Sequence, residues 1–468
     1  MCIFLCRIVL SASILIGSFP TAGFSQSTVN KDFSGLEKAA ASELAAKKGV
    51  GAAVAIVSGS KVVYAKGFGS ANAETGAPVT PDTLFQTGSV TKPFTAAMVL
   101  SMAAEGRLKL DAPVSAYAKG LSPLIGQVTL AQLLSHTSGI LDEPDEFGAQ
   151  DESLMAPYIR SWKDDYVLFP GGEVFSYSNS GYALAGFTAS EAAGKPYTAL
   201  MQERIFDPLG MKSTTFLPTA AMTRPLAAGH QIKDGKPIVV RPLPNDARLY
   251  PAGTMYTSVN DLARFATAFL NDGKLDGKEV ISPSVIAEMS APRARQMSEF
   301  RKLEYGFGMF VESRGNVVTL WHEGGMTGYT ASVLFVPEQK FAVVIMSNTD
   351  GVVFRETQAA AIDIMMKSGA HPANAAADGP VTLKDPQMAE YTGKYMQPKR
   401  FDIEVFIKDE RLFIREFGLE MPLAYHGENR FKFQLPGAPK PVEIYIRPRS
   451  AGKPGYLHQY VWAFKKVE

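Results

Sequence analysis

The chain has 468 residues, with 47 Lys and Arg against 46 Asp and Glu and a formal net charge of +1. That near balance gives no electrostatic case for binding nucleic acid or an anionic membrane surface. The length allows two or three domains and a large core.

Residues Met1 to Ser25 carry one charge, Arg7, then the apolar run "IVLSASILIG" and the small residues "TAGFS". This order predicts a secretory signal peptide over residues 1–25, cut after Ser25. The competing reading is an uncleaved anchor, but the run is short for a span and lacks a strong charged stop. Cleavage takes Arg7, and so brings the net charge from +1 to 0; it also removes the two cysteines, Cys2 and Cys6. The exported chain is then expected without disulfide or thiol chemistry, without a lipid anchor or stable membrane span, in the periplasm or outside the cell.

From 30 to 369 helical and strand patterns alternate. "GAAVAIVSGSKVVYAKGFG" (Gly51 to Gly69) predicts two strands around a Ser-Gly turn. "VTKPFTAAMVLSMAAEG" (Val90 to Gly106) predicts a helix with Pro93 in its first turn, where a missing N–H costs little. Val128 to Gly139 predicts a shorter helix stopped by glycine, and Asn260 to Gly273 a capped one. "YTASVLFVPEQKFAVVIMSN" (Tyr329 to Asn348) reads as two apolar strands around "PEQK", and Arg355 to Gly369 as an amphipathic helix. The Ala-, Pro- and Gly-rich stretch 370–380 reads as a linker. Beyond it, 381–468 changes to short strands such as "FDIEVFIKDERLFIREF" (Phe401 to Phe417), which predict a small antiparallel β domain, a barrel or a sandwich. No repeat at solenoid spacing is present.

Three stretches carry chemistry. In "FQTGSVTKPFTAAMV" (Phe85 to Val99), Ser89 and Lys92 are three apart at a helix start, on one face. The positive field of a helix N-terminus, with burial, would lower the lysine pKa and free a neutral amine to take the serine proton. Taken alone, the pair reads first as a helix cap and a surface lysine, because residue frequencies produce such a spacing by chance in a chain this long. In "FSYSNSGYALAG" (Phe175 to Gly186), Tyr177 and Asn179 alternate, so in an extended segment they face one way: a phenol that can relay a proton and an amide that can hold a carbonyl and an amine. The alternative is a turn with a packed tyrosine. In "TLWHEGGMTGYTASVLFV" (Thr319 to Val336), a strand meets two glycines. Another backbone can approach there, and an N–H beside that of Ser89 would form an oxyanion hole; the alternative is a β-bulge.

Together these stretches resemble the penicillin-recognising serine hydrolases, which include class C β-lactamases, D-alanyl-D-alanine carboxypeptidases, D-aminopeptidases and related esterases. The match is "SVTK" at Ser89 to Lys92, "YSN" at Tyr177 to Asn179 and "HEG" at His322 to Gly324, with "LLSHTSGI" (Leu133 to Ile140) and "PAGTMYTSVNDLARF" (Pro251 to Phe265) as flanks. The resemblance implies an α/β (α+β) fold: an antiparallel sheet flanked by helices, with a helical subdomain carrying Tyr177. It implies Ser89 as nucleophile, Lys92 and Tyr177 sharing the base and acid work, and Asn179 positioning the substrate amide. The N–H groups of Ser89 and Gly325 would bind the oxyanion, with His322 and Gly324 lining the substrate site. No metal or cofactor is called for, and the six histidines show no paired-ligand spacing.

The third motif departs from the lactamase pattern, where lysine comes first and binds the substrate carboxylate. Here His322 is mostly neutral at pH 7 and Glu323 follows it, so strong penicillin hydrolysis is not expected. His322 would donate to a substrate carbonyl or, if protonated, hold a carboxylate weakly. The expected substrate is an amide in a short peptide with D- or unusual residues. An esterase, a class C-like β-lactamase, and a slowly acylating sensor are the alternatives. The C-terminal domain resembles a lipocalin-like barrel packed near the site; its "YTGKY" (Tyr391 to Tyr395) and "WAF" (Trp462 to Phe464) read as core, and His426 and His458 receive no role. Oligomeric state is left open.

Overall fold

The computed structural model describes residues 31–143, 145–299, 301–314, 317–366, 380, 383, 385–450 and 453–467. The expected signal peptide, and all of the expected linker but Pro380, lie outside them. Among the described residues no helix is long and apolar enough to cross a membrane.

An eight-stranded antiparallel sheet runs through residues 51–347. Its strands are β1 (Gly51–Ser58), β2 (Lys61–Gly69), β3 (Ala294–Gln296), β4 (Leu303–Tyr305), β5 (Phe310–Arg314), β6 (Val317–Met326), β7 (Tyr329–Val336) and β8 (Phe341–Ser347). Their order across the sheet is β2-β1-β8-β7-β6-β5-β4-β3. The expected hairpins Gly51–Gly69 and Tyr329–Asn348 are β1–β2 and β7–β8.

Strand β1 is buried along its length because helices cover both faces. Ala52, Val54 and Ile56 pack with Leu36 and Leu44 of α1 (Ser34–Ala46) and with Ala361 and Met365 of α5 (Arg355–Met365). Ala53, Ala55 and Val57 face the other way, into the core that holds Phe265 and Phe269 of α4 (Val259–Leu270). The period of two that sends neighbours to opposite faces thus serves two apolar layers at once. Glu43 of α1, nearly fully buried, accepts from the N–H groups of Glu356 and Thr357 at 2.9 Å each, capping the first turn of α5.

Helix α2 (Lys92–Ala104) is preceded by a 3₁₀ turn at Gly88–Thr91, so its α-helical part starts two residues later than the pattern suggests. Pro93 falls in the first turn as expected. The helix expected from Val128 shrinks to Leu130–Leu134, opened by a Thr129–Gln132 capping box and closed before His136, which adopts φ +58. In α4 the cap is Ser258, which accepts from Asp261 N at 3.1 Å. Asn179 begins α3 (Asn179–Ala193), with Ser178 as its cap.

The C-terminal strands form a nine-stranded antiparallel sheet that nearly closes into a barrel. Its two edge segments, Leu419–Pro422 and Ala424–Tyr425, are consecutive in the chain, and Leu423 N between them donates to Leu412 O at 2.9 Å. One kinked strand thereby joins both ends. Tyr395, Ile403, Val405, Ile414, Phe431, Ile444, Leu457 and Phe464 fill the interior. A helix at Asp385–Tyr391 precedes the strands, which the strand pattern alone did not anticipate.

Candidate active site

The turn Gly88–Thr91 is pressed against β6 by two glycines. A Cβ at Gly324 would lie 1.9 Å from Thr87 O and 2.9 Å from Ser89 N; one at Gly88, which has φ +50, would lie 2.6–2.7 Å from Gly325 O and N. Only residues without Cβ allow this contact. Gly324 and Gly325 keep regular register opposite Ala331 and Thr330, so the segment is no bulge. Strand β5 pairs with β6 only as far as Trp321, which leaves the edge at Gly325 facing the turn. Ser89 N thus lies close to Gly324, and Gly325 N close to Gly88, where the Ser89 side chain is partly exposed.

Lys92 is fully buried, and its amine makes three contacts: Ser89 Oγ at 3.0 Å, Asn179 Oδ1 at 2.6 Å and Ala252 O at 2.7 Å. Burial lowers its pKa to about 7, against a smaller upward pull from the Asp142 charge. Asn179 Oδ1 and Ala252 O can only accept, so each takes an N–H. In the neutral amine the remaining direction, toward Ser89, is the lone pair.

The Asn179 amide is held in turn. Its Nδ2 donates to Asp142 Oδ1 at 3.1 Å and its backbone N to the same oxygen at 2.8 Å, which leaves Oδ1 for Lys92. Asp142 is buried; its other oxygen pairs with Arg400 and accepts from Trp462 Nε1 at 3.2 Å. The Arg400 guanidinium lies 3.9 Å from the Trp462 ring centre. Both residues belong to the barrel; Trp462 packs against its core, as expected, and also turns its indole N–H to Asp142. Tyr391 and Tyr395 are buried in that core.

Tyr177 is buried with its ring 4.7 Å from Lys92 Nζ. Burial pushes its pKa well above the ordinary phenol value, so it stays protonated at neutral pH. The segment carrying it is tied down from both sides: Ser176 N donates to His136 O at 2.8 Å, and Tyr177 N to Val461 O of the barrel at 2.8 Å. The His136 ring sits 4.1 Å from the Tyr177 ring, and its Nδ1 accepts from Ser178 N at 3.0 Å.

His322 is buried, and burial lowers its pKa to about 3. Its Nδ1 donates to Glu323 O at 2.6 Å, so Nε2 accepts from Tyr305 OH at 3.1 Å. Both ring nitrogens are engaged within the protein and the ring is uncharged. Glu323 does not stand beside the nucleophile as its place in the motif suggests. Alternation turns it to the opposite face of β6, where it lines a shallow cleft with Thr330, Ser332 and Val353. His458, which received no role, bridges the two parts: its Nε2 donates to Phe175 O at 3.0 Å and its Nδ1 accepts from Ser298 N at 3.2 Å.

The structure thus brings Ser89, Lys92, Tyr177, Asn179, Gly324 and Gly325 together, with His322 buried beside Tyr177, their ring centres 6.3 Å apart. Asp142, Ala252, Tyr305, Arg400 and Trp462 also belong to the site and were not singled out for it. A serine alcohol facing a neutral buried amine, with a protonated phenol and two backbone N–H groups beside it, is equipped for acyl transfer.

A model of the beta-lactamase family matches residues 36–364, and the chain belongs to that family of serine hydrolases. Protein flp of Staphylococcus aureus (strain MW2) is 28% identical over 309 residues, which are 64% of this chain and 59% of flp. Penicillin-binding protein 4 of Amycolatopsis lactamdurans is 29% identical over 285 residues, 58% of this chain and 74% of the relative. A D-alanine carboxypeptidase AmpC structure from Burkholderia cenocepacia superposes with TM-score 0.57 at 25% identity, covering 70% of this chain and 97% of that one. The crystal structure of SurE gives TM-score 0.76 at 24% identity and covers 92% of this chain and 98% of that one, so the fold it shares extends through the barrel.

Proposed function

We propose that this chain cleaves an amide in a short peptide bearing a D- or otherwise unusual residue, through an acyl-enzyme on Ser89. The observation that carries this reading is the buried Lys92 amine, 3.0 Å from Ser89 Oγ, with a pKa of about 7. Lys92 takes the Ser89 proton as Oγ attacks the carbonyl carbon. The oxyanion forms against the N–H groups of Ser89 and Gly325. As the C–N bond breaks, Tyr177 gives its proton to the leaving amine while taking the one that Lys92 holds, so the buried phenol is not left charged; its raised pKa disfavours it as the first base. Water then releases the acyl group by the reverse route.

Support for a peptide amide comes from the relatives named as a penicillin-binding protein and a D-alanine carboxypeptidase. Support for weak penicillin hydrolysis comes from His322, which stands uncharged where a cation would hold the carboxylate. Ester cleavage on the same acyl-enzyme is the second reading, since the partly exposed Ser89 constrains the leaving group little. Export to the periplasm or medium belongs to this proposal and rests on the pattern of residues 1–25.

The test is a panel of D-alanyl peptides, N-terminal D-amino amides, short aryl esters and a chromogenic cephalosporin, compared by kcat/KM. Preference for a D-residue amide supports the proposal. A cephalosporin turned over faster than every peptide contradicts it.

A further inference from the structure

We propose that the C-terminal barrel is part of the active-site machinery: Arg400 and Trp462 act as positioning residues that hold Asp142, and through it the Asn179 amide, in the one orientation that serves Lys92. This rests on the reading of Ser89 and Lys92 given above.

An asparagine side chain can turn its oxygen and nitrogen end for end with little change in shape. Lys92 needs the oxygen: with Ala252 O it consumes both N–H groups of the neutral amine and aims the lone pair at Ser89. The reversed amide would set a donor against a donor. Asp142 Oδ1 decides between the two states, because a carboxylate only accepts and it faces Nδ2. The same oxygen fixes the first backbone N–H of α3.

Asp142 has almost no exposure to water, so its charge needs partners within the protein. Its second oxygen finds them in the barrel, in Arg400 and in Trp462 Nε1. These partners lie 258 and 320 positions along the chain from it. The Trp462 ring lies under the guanidinium and holds it in place. The next residue, Glu143, pairs with Lys399 on the same barrel turn. That turn is closed by Arg400 N donating to Gln397 O at 3.1 Å. A barrel serving only as a lid would need neither a buried charge pair nor an indole N–H aimed at the residue that orients Asn179.

The test follows three variants, each also made in an Asn179→Ala background. Trp462→Phe keeps the ring under Arg400 and removes one donor; Arg400→Met removes the charge; Arg400→Lys restores it in part. With fluorophosphonate and with the best panel substrate, Trp462→Phe is expected to lower the Ser89 modification rate and kcat about tenfold, with KM within about twofold, as the loss of a single charge-assisted contact implies. Arg400→Met should cost about 10²-fold, with part recovered in Arg400→Lys. In the Asn179→Ala background Trp462→Phe should add nothing, because both changes break one chain of contacts. Wild-type rates in folded Trp462→Phe, or the same loss with Asn179 absent, would overturn the proposal. If Arg400→Met does not fold, Trp462→Phe decides. An independent readout is the Asn179 side-chain amide resonance, which must move in Trp462→Phe and refutes the clamp if it does not. A wild-type protein that never forms a Ser89 adduct would refute the nucleophile instead, and this resonance would still judge the clamp.

Discussion

At the scale of single residues the account turns on Lys92. An ordinary lysine, with pKa near 10.5, is useless as a base at neutral pH; burial brings this one to about 7. The base must be uncharged to accept the Ser89 proton. So kcat/KM should rise about tenfold per unit below pH 7 and level off above it. A profile flat from pH 5 to 9 would contradict the assignment. Lys92→Arg should abolish turnover, because a guanidinium does not lose its proton. The Ser89–Lys92 spacing was legible because both residues lie on one helical turn. The Ala252 carbonyl was not, because a backbone acceptor leaves no trace in residue type. Asp142 was not, because nothing near it in sequence announces a partner 258 positions away.

At the scale of elements, the close approach of the turn Gly88–Thr91 to β6 makes the oxyanion site possible. Adjacent glycines have opposite tolerances there. A Cβ at Gly324 meets Thr87 O at 1.9 Å, whereas at Gly325 it meets nothing within 4 Å. Gly324→Ala should therefore lower stability by more than about 2 kcal/mol, or force β6 away and lose Ser89 acylation. Gly325→Ala should stay within about 0.5 kcal/mol of wild type in urea unfolding. Equal stabilities for the two variants would count against the packing described. The apolar strands and α2, α4 and α5 were legible from periodicity and caps, with ends displaced by a few residues. The expected helix from Val128 was shortened because the left-handed His136 ends it and turns its ring onto Tyr177. That is a tertiary demand that local pattern does not carry.

At the scale of the molecule, buried His458 joins the barrel to Phe175, while His136 lies against Tyr177 and His322 sits buried on β6. Burial lowers the pKa of His322 and His458 to about 3 and that of His136 well below its ordinary value. The unfolded chain takes up protons near pH 6.5 that the folded chain refuses. Stability should be level in these groups above pH 6.5 and fall as pH drops from 6.5 toward 3, by up to about 1.4 kcal/mol per unit for each. Urea midpoints at pH 7, 6 and 5 check this; the fall should be shallower in His458→Gln, and a pH-independent midpoint would contradict it. The barrel was legible as strands because inward residues alternate, as in Ile403, Val405 and Ile414. Its closure through Leu423 and its seat against Tyr177 were not, because both depend on pairings between distant segments.

The most direct measurement is the mass of the intact protein after reaction with a fluorophosphonate at pH 8, with peptide mapping. The account requires one adduct, on Ser89, absent from Ser89→Ala and formed at least about 10²-fold more slowly in Lys92→Met. A folded wild-type protein that stays unmodified, or an adduct elsewhere that survives Ser89→Ala, would contradict it.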